Sequence, residues 1–297
     1  MGFFTNSSVR NIVIGGNVRY LNGSMANAFQ SCSNFNQPVN IPNGVTNMTS
    51  TFYYCYKFNQ PVNIPDGVTS MYQTFYFSNE LNKPITIPNS VTNMAHAFYD
   101  CRKFNQPITI PSSVNDMRDA FTNCRNFNQQ VTIYGGVMNM NNAFNQCVNF
   151  NQPINIPNGA LDLTYMFNNC QAFNQPITIP NSVNNLGAMF SNCRNFNQSV
   201  NIPQNVTSLA GVFRNCVNLS QDIFIYARNV TQVSQFVQGK SNSKRINIYV
   251  PNGSNTMSKI RATTSSASIT STTLTWTNET DGCYNKTYNI YIYWNKF

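Results

Sequence analysis

The residues able to do acid–base or metal chemistry are few in this sequence. It has one histidine, His96, and nine acidic residues among 297. Asp116 and Asp119 could share a helical face as glycosidase carboxylates do, but Arg118 and polar neighbours favour a solvated surface. No Ser-His-Asp or Cys-His arrangement can be assembled around His96, and no glycine-rich phosphate loop occurs. We predict no catalytic residue, no metal and no cofactor, and an enzyme acting on carbohydrate is the less favoured alternative.

Cysteine is the other reactive residue type, and its spacing is regular. Eight of the nine cysteines follow one another in a series with a 23-residue period, in which Ser78 takes the place of one member: Cys32, Cys55, Cys101, Cys124, Cys147, Cys170, Cys193 and Cys216. The series has no CxxC pair and no neighbouring histidine, as a metal site would need. Its members fall at the ends of predicted helices, too far apart for disulfides. We predict a ladder of buried thiols acting as small apolar residues, with Cys283 outside it in contact with solvent.

The same period of 23 residues governs the phenylalanines and the FNQP motif. The stretch FNQPITIP occurs at 104–111 and again at 173–180, three periods later. Two aromatic columns keep the period, and Leu81 and Leu219 replace phenylalanine in the second: Phe29, Phe52, Phe75, Phe98, Phe121, Phe144, Phe167, Phe190 and Phe213; and Phe35, Phe58, Phe104, Phe127, Phe150, Phe173 and Phe196. A period sustained over nine units indicates a solenoid, whose units bury their apolar residues against one another.

Each unit contains two apolar patterns. In PITIP, Ile108 and Ile110 alternate with Thr109, which predicts a strand of about three residues between two prolines. The spacing of three, four and three from Val114 to Cys124 then predicts a short helix. Helices need more room than strands, so we expect parallel strands on a concave side and helices on a convex side. The predicted fold is an α/β leucine-rich-repeat solenoid of about ten coils over residues 25–251.

The repeat resembles a known family. The segment ITIPNSVTNMAHAFYDCRKFNQPITIP, at 85–111, resembles BspA-type leucine-rich repeats, and the VTNM…F…FNQP portion is similar to the bacterial surface-protein repeat. The resemblance extends over about residues 25–250. It implies a leucine-rich-repeat solenoid of the kind found in bacterial surface adhesins and host-contact proteins, which usually carry a secretion signal and an anchor.

Two polar columns are candidate contact surfaces. The outward residue of each predicted strand would line the concave side with small hydrogen-bonding groups, suited to carbohydrate, to a partner's polar surface, or to solvent alone: Asn40, Asn63, Thr86, Thr109, Thr132, Asn155, Thr178 and Asn201. The second column, Asn36-Gln37 through Asn197-Gln198, either binds a ligand or satisfies backbone groups of the next coil; the structural role is favoured.

The two ends depart from the repeat. Residues 1–24, with the run VRNIVIGGNV, are predicted to cap the first coil. Ile246 and Ile248 fall 23 residues after Ile223 and Ile225, which places the end of the last coil near Pro251. Residues 252–297 are predicted to form a β-rich cap or docking segment, whose terminal strand, with Tyr291, Tyr293 and Trp294, is a candidate for docking or self-association.

Charge and hydropathy limit the partners. The net charge is +9, but no basic run is longer than two residues, so a phosphate-tracking surface for nucleic acid is not expected. No stretch approaches the ~20 apolar residues needed for membrane insertion.

The first residues lack the pattern of a secretory signal, which favours release by phage lysis. We therefore predict a receptor-binding or structural component of a phage virion, a fibre, spike or decoration protein. The alternatives are a bacterial BspA-like adhesin and an intracellular protein-binding scaffold. The expected partners are proteins of a larger assembly or a host-surface glycan or protein, and the expected location is a virion or an extracellular surface, with the cytoplasm left open.

Overall fold

A computed structural model of the chain describes residues 23–239, 246–251, 253–265 and 287–291. Its regular elements are six strands and a helix: β1 (Ile108–Ile110), β2 (Val131–Ile133), β3 (Val200–Ile202), β4 (Ile223–Ile225), β5 (Asn247–Pro251), α1 (Asn255–Ser265) and β6 (Thr287–Tyr291). The predicted N-terminal cap, except for its last two residues, lies outside the described ranges.

Successive units lie side by side in parallel. Strand β1 pairs in parallel with β2, which comes 23 residues later, so that Thr109 lies opposite Thr132. Strands β3, β4 and β5 form a second parallel set, and β6 closes its edge in antiparallel orientation. We call each unit a coil. The predicted parallel strands are therefore observed, whereas the total of about ten coils stays a prediction.

A second line of pairing runs through every described coil, after the strand position. Isolated parallel bridges connect equivalent residues of adjacent coils: Ser24, Asn47, Ser70, Asn93, Asp116, Asn139, Asp162, Asn185, Ser208 and Gln232. The side chains of several members also accept a hydrogen bond from the backbone two residues later, as Asn47 does from the N–H of Thr49 at 2.9 Å. This local turn is typical of Asn, Asp and Ser. The bridges therefore join the coils on a second side, away from the strands.

The predicted helices within the coils are wrong. Over Met117–Cys124 the chain forms successive turns, in which Asp119 and Asn123 have φ of 55° and 61°. Alternate N–H groups donate within the coil and to the next one: Ala120 to the carbonyl of Met117 at 3.0 Å, and Phe121 to that of Ala143 at 2.8 Å. A residue with positive φ every fourth position interrupts helical geometry while leaving the apolar residues on one side.

The coil spacing explains why helices are absent there. Adjacent rings of the first phenylalanine column have centroids 5.3–5.9 Å apart from Phe29 to Phe213. Packed helices require about 8–10 Å between axes, so they do not fit at this spacing. Turns that hydrogen-bond to the next coil do fit this spacing, and they form the side of each coil opposite the strand. The predicted concave and convex sides depended on the difference in width between helices and strands, so that prediction loses its basis.

The core consists of the two phenylalanine columns packed against each other. Phe144 is fully buried and contacts rings above, below and beside it, with centroids of Phe121, Phe150 and Phe167 at 5.4, 4.9 and 5.8 Å. The buried strand residues, such as Ile108 and Ile110, close the core on the strand side. Each coil therefore buries its apolar side chains against its neighbours as well as within itself.

The C-terminal segment differs from the prediction in two ways. Strand β5 pairs Ile223 with Ile248, so its register is shifted by two residues from the predicted pairing with Ile246. A shift of two keeps the same side chains on the buried face, so the apolar pattern does not reveal it. The second difference is α1, a helix in a segment predicted to be β-rich. Ser254 caps this helix by accepting the N–H of Met257 at 3.1 Å, and Met257 and Ile260 are buried.

Candidate functional site

The strand face is the first candidate surface, and it consists of the eight predicted column residues: Asn40, Asn63, Thr86, Thr109, Thr132, Asn155, Thr178 and Asn201. Seven of these side chains are exposed and Thr132 is half-buried. The flanking Val and Ile side chains of each coil point inward and are buried. Because strands pair at about 4.8 Å, the column presents hydroxyl and amide groups at near-constant intervals. This arrangement can donate and accept hydrogen bonds along an extended ligand, and it carries no charge.

The strand face changes character at its C-terminal end, which the sequence analysis missed. Asn201 lies opposite Phe224, and Phe224 lies opposite Tyr249. The rings of Phe224 and Tyr249 stack with centroids 4.6 Å apart, and Tyr226 nearby is 51% exposed. The signal was present in the sequence, because Phe224 follows Asn201 by 23 residues.

The predicted docking strand is described only in part. Tyr291 ends β6 and pairs with Asn247 across the antiparallel edge of β5. Tyr293 and Trp294 lie outside the described residues, so the docking role of this strand stays a prediction.

The Asn-Gln column forms a hydrogen-bond ladder, as predicted for its structural role. The side-chain carbonyl of each asparagine accepts the backbone N–H of the equivalent residue in the next coil at 2.8–2.9 Å, from Asn36 to Asn197. Several glutamines add a second bond, as Gln152 does by donating to Asn128 at 3.1 Å. These amides satisfy backbone groups that the short strands leave unpaired.

The cysteine column is a ladder of buried thiols, as predicted, but it also donates hydrogen bonds. The Cys124 thiol donates to the carbonyl oxygen of Phe98 in the preceding coil at 3.0 Å, and Ser78 donates in the same way to Phe52. All eight cysteines are buried. Burial raises the pKa of the Cys124 thiol well above its usual range, so this thiol stays protonated and able to donate.

His96 and the two aspartates make local contacts. Asp116 accepts the N–H of Arg118 at 2.9 Å and pairs with its guanidinium at 3.4 Å. Asp119 accepts the Thr122 hydroxyl at 3.0 Å and lies 3.8 Å from Nδ1 of His96. Burial lowers the pKa of His96 and raises that of Asp119, and both effects weaken the charged pair. These groups serve local turns and packing. Over the ranges that the structure describes, no group of three potential ligands could hold a metal ion.

A cluster of aromatic side chains is the second candidate surface. We call it the tyrosine patch; its members lie in three adjacent coils, on the side formed by the turns: Tyr53, Tyr54, Tyr56, Tyr72, Tyr76, Phe77 and Tyr99. Tyr56 is 39% exposed and the others are half-buried. The sequence analysis missed this patch, although Tyr53, Tyr76 and Tyr99 follow one another at intervals of 23 residues.

The rings of the tyrosine patch take two orientations. Tyr53, Tyr76 and Tyr99 stack in a column, with centroids 4.8 and 4.7 Å apart. Tyr54 is inclined by 67° to Tyr53 and by 61° to Phe77. Burial raises the pKa of Tyr53 and of Tyr76 to about 12, so both phenols are neutral over the physiological range. The patch thus presents ring edges, an inclined ring and neutral hydroxyl groups.

Comparison with solved structures defines the class of fold. A leucine-rich repeat protein from Bacteroides ovatus, known from its crystal structure, matches with a TM-score of 0.55 at 21% identity. The match covers 75% of this chain and 65% of that one, so this chain spans less than two thirds of the other's length. At this identity the likeness shows the fold alone. The chain thus has the fold of a leucine-rich repeat protein.

Comparison with family models gives the family. The model described as "Mycoplasma protein of unknown function, DUF285" matches at residues 23–134, 110–201 and 158–252. These matches span most of the chain, which therefore belongs to the DUF285 family. The resemblance to BspA-type repeats agrees with both findings. No match was found among the curated proteins. The described helix is too short to cross a membrane.

Proposed function

We propose that this chain is a non-catalytic recognition protein, built as a solenoid of about ten coils, that binds another macromolecule along its strand face. The observation that carries the proposal is the repeated exposure of Asn or Thr between buried Val and Ile residues. A row of fixed, neutral hydrogen-bonding groups suits an extended polar partner, such as a protein surface or a glycan chain. Leucine-rich repeat proteins generally bind other proteins, which supports a protein partner first.

For the setting, we propose display on a cell surface, in the manner of a BspA-like adhesin. The resemblance of the repeat to BspA-type repeats, which occur in bacterial surface adhesins, is what supports this setting. The phage-virion setting predicted from the sequence gains no support from either comparison, and neither does the intracellular scaffold. Location itself therefore remains part of the proposal.

The strand face can be tested with paired substitutions. Asn155→Arg together with Thr178→Arg adds two long, charged side chains to adjacent coils of the strand face. Both positions are exposed, so the fold should tolerate the change. The matched control, Asn126→Arg with Asn195→Arg, adds the same charge at exposed positions of the return loops.

The readout is binding of fluorescently labelled full chain to a panel of low-GC bacterial cells and cultured animal cells, measured by flow cytometry. We expect the strand-face variant to lose at least about tenfold in affinity, because a buried, unpaired charge opposes contact, while the control binds as the wild type does. Equal binding by the two double variants would show that the strand face is not the contact surface. A wild-type chain that binds none of these cells would refute recognition of a cell surface.

A further inference from the structure

The tyrosine patch contains side chains that the repeat itself does not require. Tyr54 and Phe77 occupy equivalent positions in adjacent coils, with φ of 57° and 59°. Bulky side chains rarely adopt this left-handed conformation, whereas Asn and Asp adopt it several times more often. Five of the next six equivalent residues follow that preference, and Gln146 is the exception: Asp100, Asn123, Asn169, Asn192 and Asn215. Tyr54 and Phe77 therefore sit where backbone energetics disfavour them, and they remain half-exposed, so core packing does not explain them.

The coils that carry the patch are balanced in charge, unlike the chain as a whole. Residues 46–122, which carry the patch, contain five basic and five acidic side chains, while the whole chain has 18 and nine. The ten are Lys57, Lys83, Arg102, Lys103, Arg118, Asp66, Glu80, Asp100, Asp116 and Asp119. Several are paired locally, as Lys103 is with Glu80 at 2.6 Å and Arg102 with Asp100 at 3.0 Å. The net charge of +9 thus lies outside this part of the chain.

Ring geometry limits what the patch can bind. The stacked faces of Tyr53, Tyr76 and Tyr99 contact one another, so a flat sugar ring finds few free faces in that column. What remains exposed is ring edges, which carry partial positive charge, and the inclined ring of Tyr54. Edges pair favourably with ring faces. A surface that offers both is complementary to a second copy of itself turned by a two-fold axis.

We propose that the tyrosine patch is the surface through which two copies of this chain associate as a two-fold symmetric dimer. Two chains that each carry a net charge of +9 repel each other, and coils of balanced charge can meet at a smaller electrostatic cost. Tyr and Phe are enriched at protein interfaces, and charged residues are depleted from interface centres. This dimer does not depend on what the strand face binds.

The test is the mass of the full chain in solution, measured by light scattering over a range of concentrations. The wild type should approach twice 33.5 kDa. The variant Tyr54→Asn with Phe77→Asn carries residues that later coils already use at this position. We expect its dissociation constant to rise by at least about tenfold. The matched control is Tyr165→Asn, because Tyr165 is 45% exposed with φ of 56° but lies outside the patch; it should dimerise as the wild type does.

A stability measurement separates an interface role from a structural one. At a dilution where all forms are monomeric, the double variant should unfold at a urea concentration no lower than the wild type, since asparagine relieves the left-handed strain. A clear loss of monomer stability would assign the aromatic residues to folding and overturn the proposal. So would a wild type that is monomeric up to its solubility limit, a double variant that still dimerises, or a control that does not. If the double variant still formed a dimer, the C-terminal segment would become the next candidate for the interface. Binding to cells is measured separately, so failure here leaves the strand-face proposal standing.

Discussion

Replacing Phe144 by alanine tests the stacked core most directly. Its ring is fully buried in the middle of the first column, and four other rings lie within 6.4 Å of it: Phe121, Phe127, Phe150 and Phe167. A Phe→Ala change in a core costs about 3–5 kcal/mol, depending on how far the surroundings collapse into the cavity. Collapse is restricted here because the coil spacing is fixed by backbone hydrogen bonds at the turns, including that from Phe144 to Met166 at 3.0 Å. We therefore expect a loss in the upper half of that range.

The assay is urea unfolding followed by far-ultraviolet circular dichroism, with the midpoint and slope fitted together. A change in midpoint at constant slope would report stability alone, whereas a change in slope would show that the coils above and below now unfold separately. Phe144→Leu is the control, because Leu81 and Leu219 are tolerated in the second column. It should cost less than half as much, since much of the volume is retained. A loss below about 1 kcal/mol for the alanine variant would refute the cavity reasoning.

Three further predictions concern the backbone, the asparagine ladder and the half-buried His96. Gly136→Ala should destabilise the chain strongly, because φ is +77° and an added Cβ would overlap the backbone carbonyl of Ser112; Gly159→Ala, with open space around it, should be near neutral in the same urea assay. Asn128→Ala should cost about 1–3 kcal/mol by leaving the N–H of the next coil unpaired, whereas Asn128→Asp keeps the acceptor and should cost less. Burial lowers the pKa of His96 below 6.5, so the unfolded chain takes up the proton first, and stability should fall as the pH drops through 6.5 toward the lower pKa of the folded chain. His96→Gln should flatten that part of the pH profile; a profile unchanged by the substitution would contradict the assignment.

The sequence was sufficient to predict which side chains are buried, but not which element buries them. Val114, Met117, Phe121 and Cys124 are all buried, as their spacing predicted. The same spacing arises from a helix and from successive turns with a left-handed residue at every fourth position. The choice between helix and turns depends on the distance between adjacent coils, and the sequence of one repeat does not give that distance. A usable signal did exist, because the column through Asn123 carries Asn or Asp in five of its nine members, the residues that best tolerate positive φ: Asp100, Asn123, Asn169, Asn192 and Asn215.

The structural role of the asparagine column was predicted from its repetition, and the observed hydrogen bonds agree with that prediction. An asparagine that recurs beside a short strand has an unpaired backbone group within reach in every coil, so its role can be predicted from repetition alone. The C-terminal segment offered no such repetition. There, a shift of two residues preserves the buried face of β5, and the cap at Ser254 precedes a helix whose buried apolar residues include Met257 and Ile260. Reasoning from the 23-residue period can detect neither the register shift of β5 nor the capped helix α1.

In a stack of equivalent coils, repetition and its absence carry different information about function. A residue that recurs in every coil can be explained by the packing problem that every coil shares. The strand face is partly of this kind, because Thr suits an exposed strand position whether or not anything binds there. The tyrosine patch is the opposite case: Tyr53, Tyr76 and Tyr99 give way to Thr122 and Asn145 in the next coils without any change in backbone hydrogen bonding. Packing therefore does not demand those aromatic residues, and the patch is the stronger argument for a contact specific to this chain.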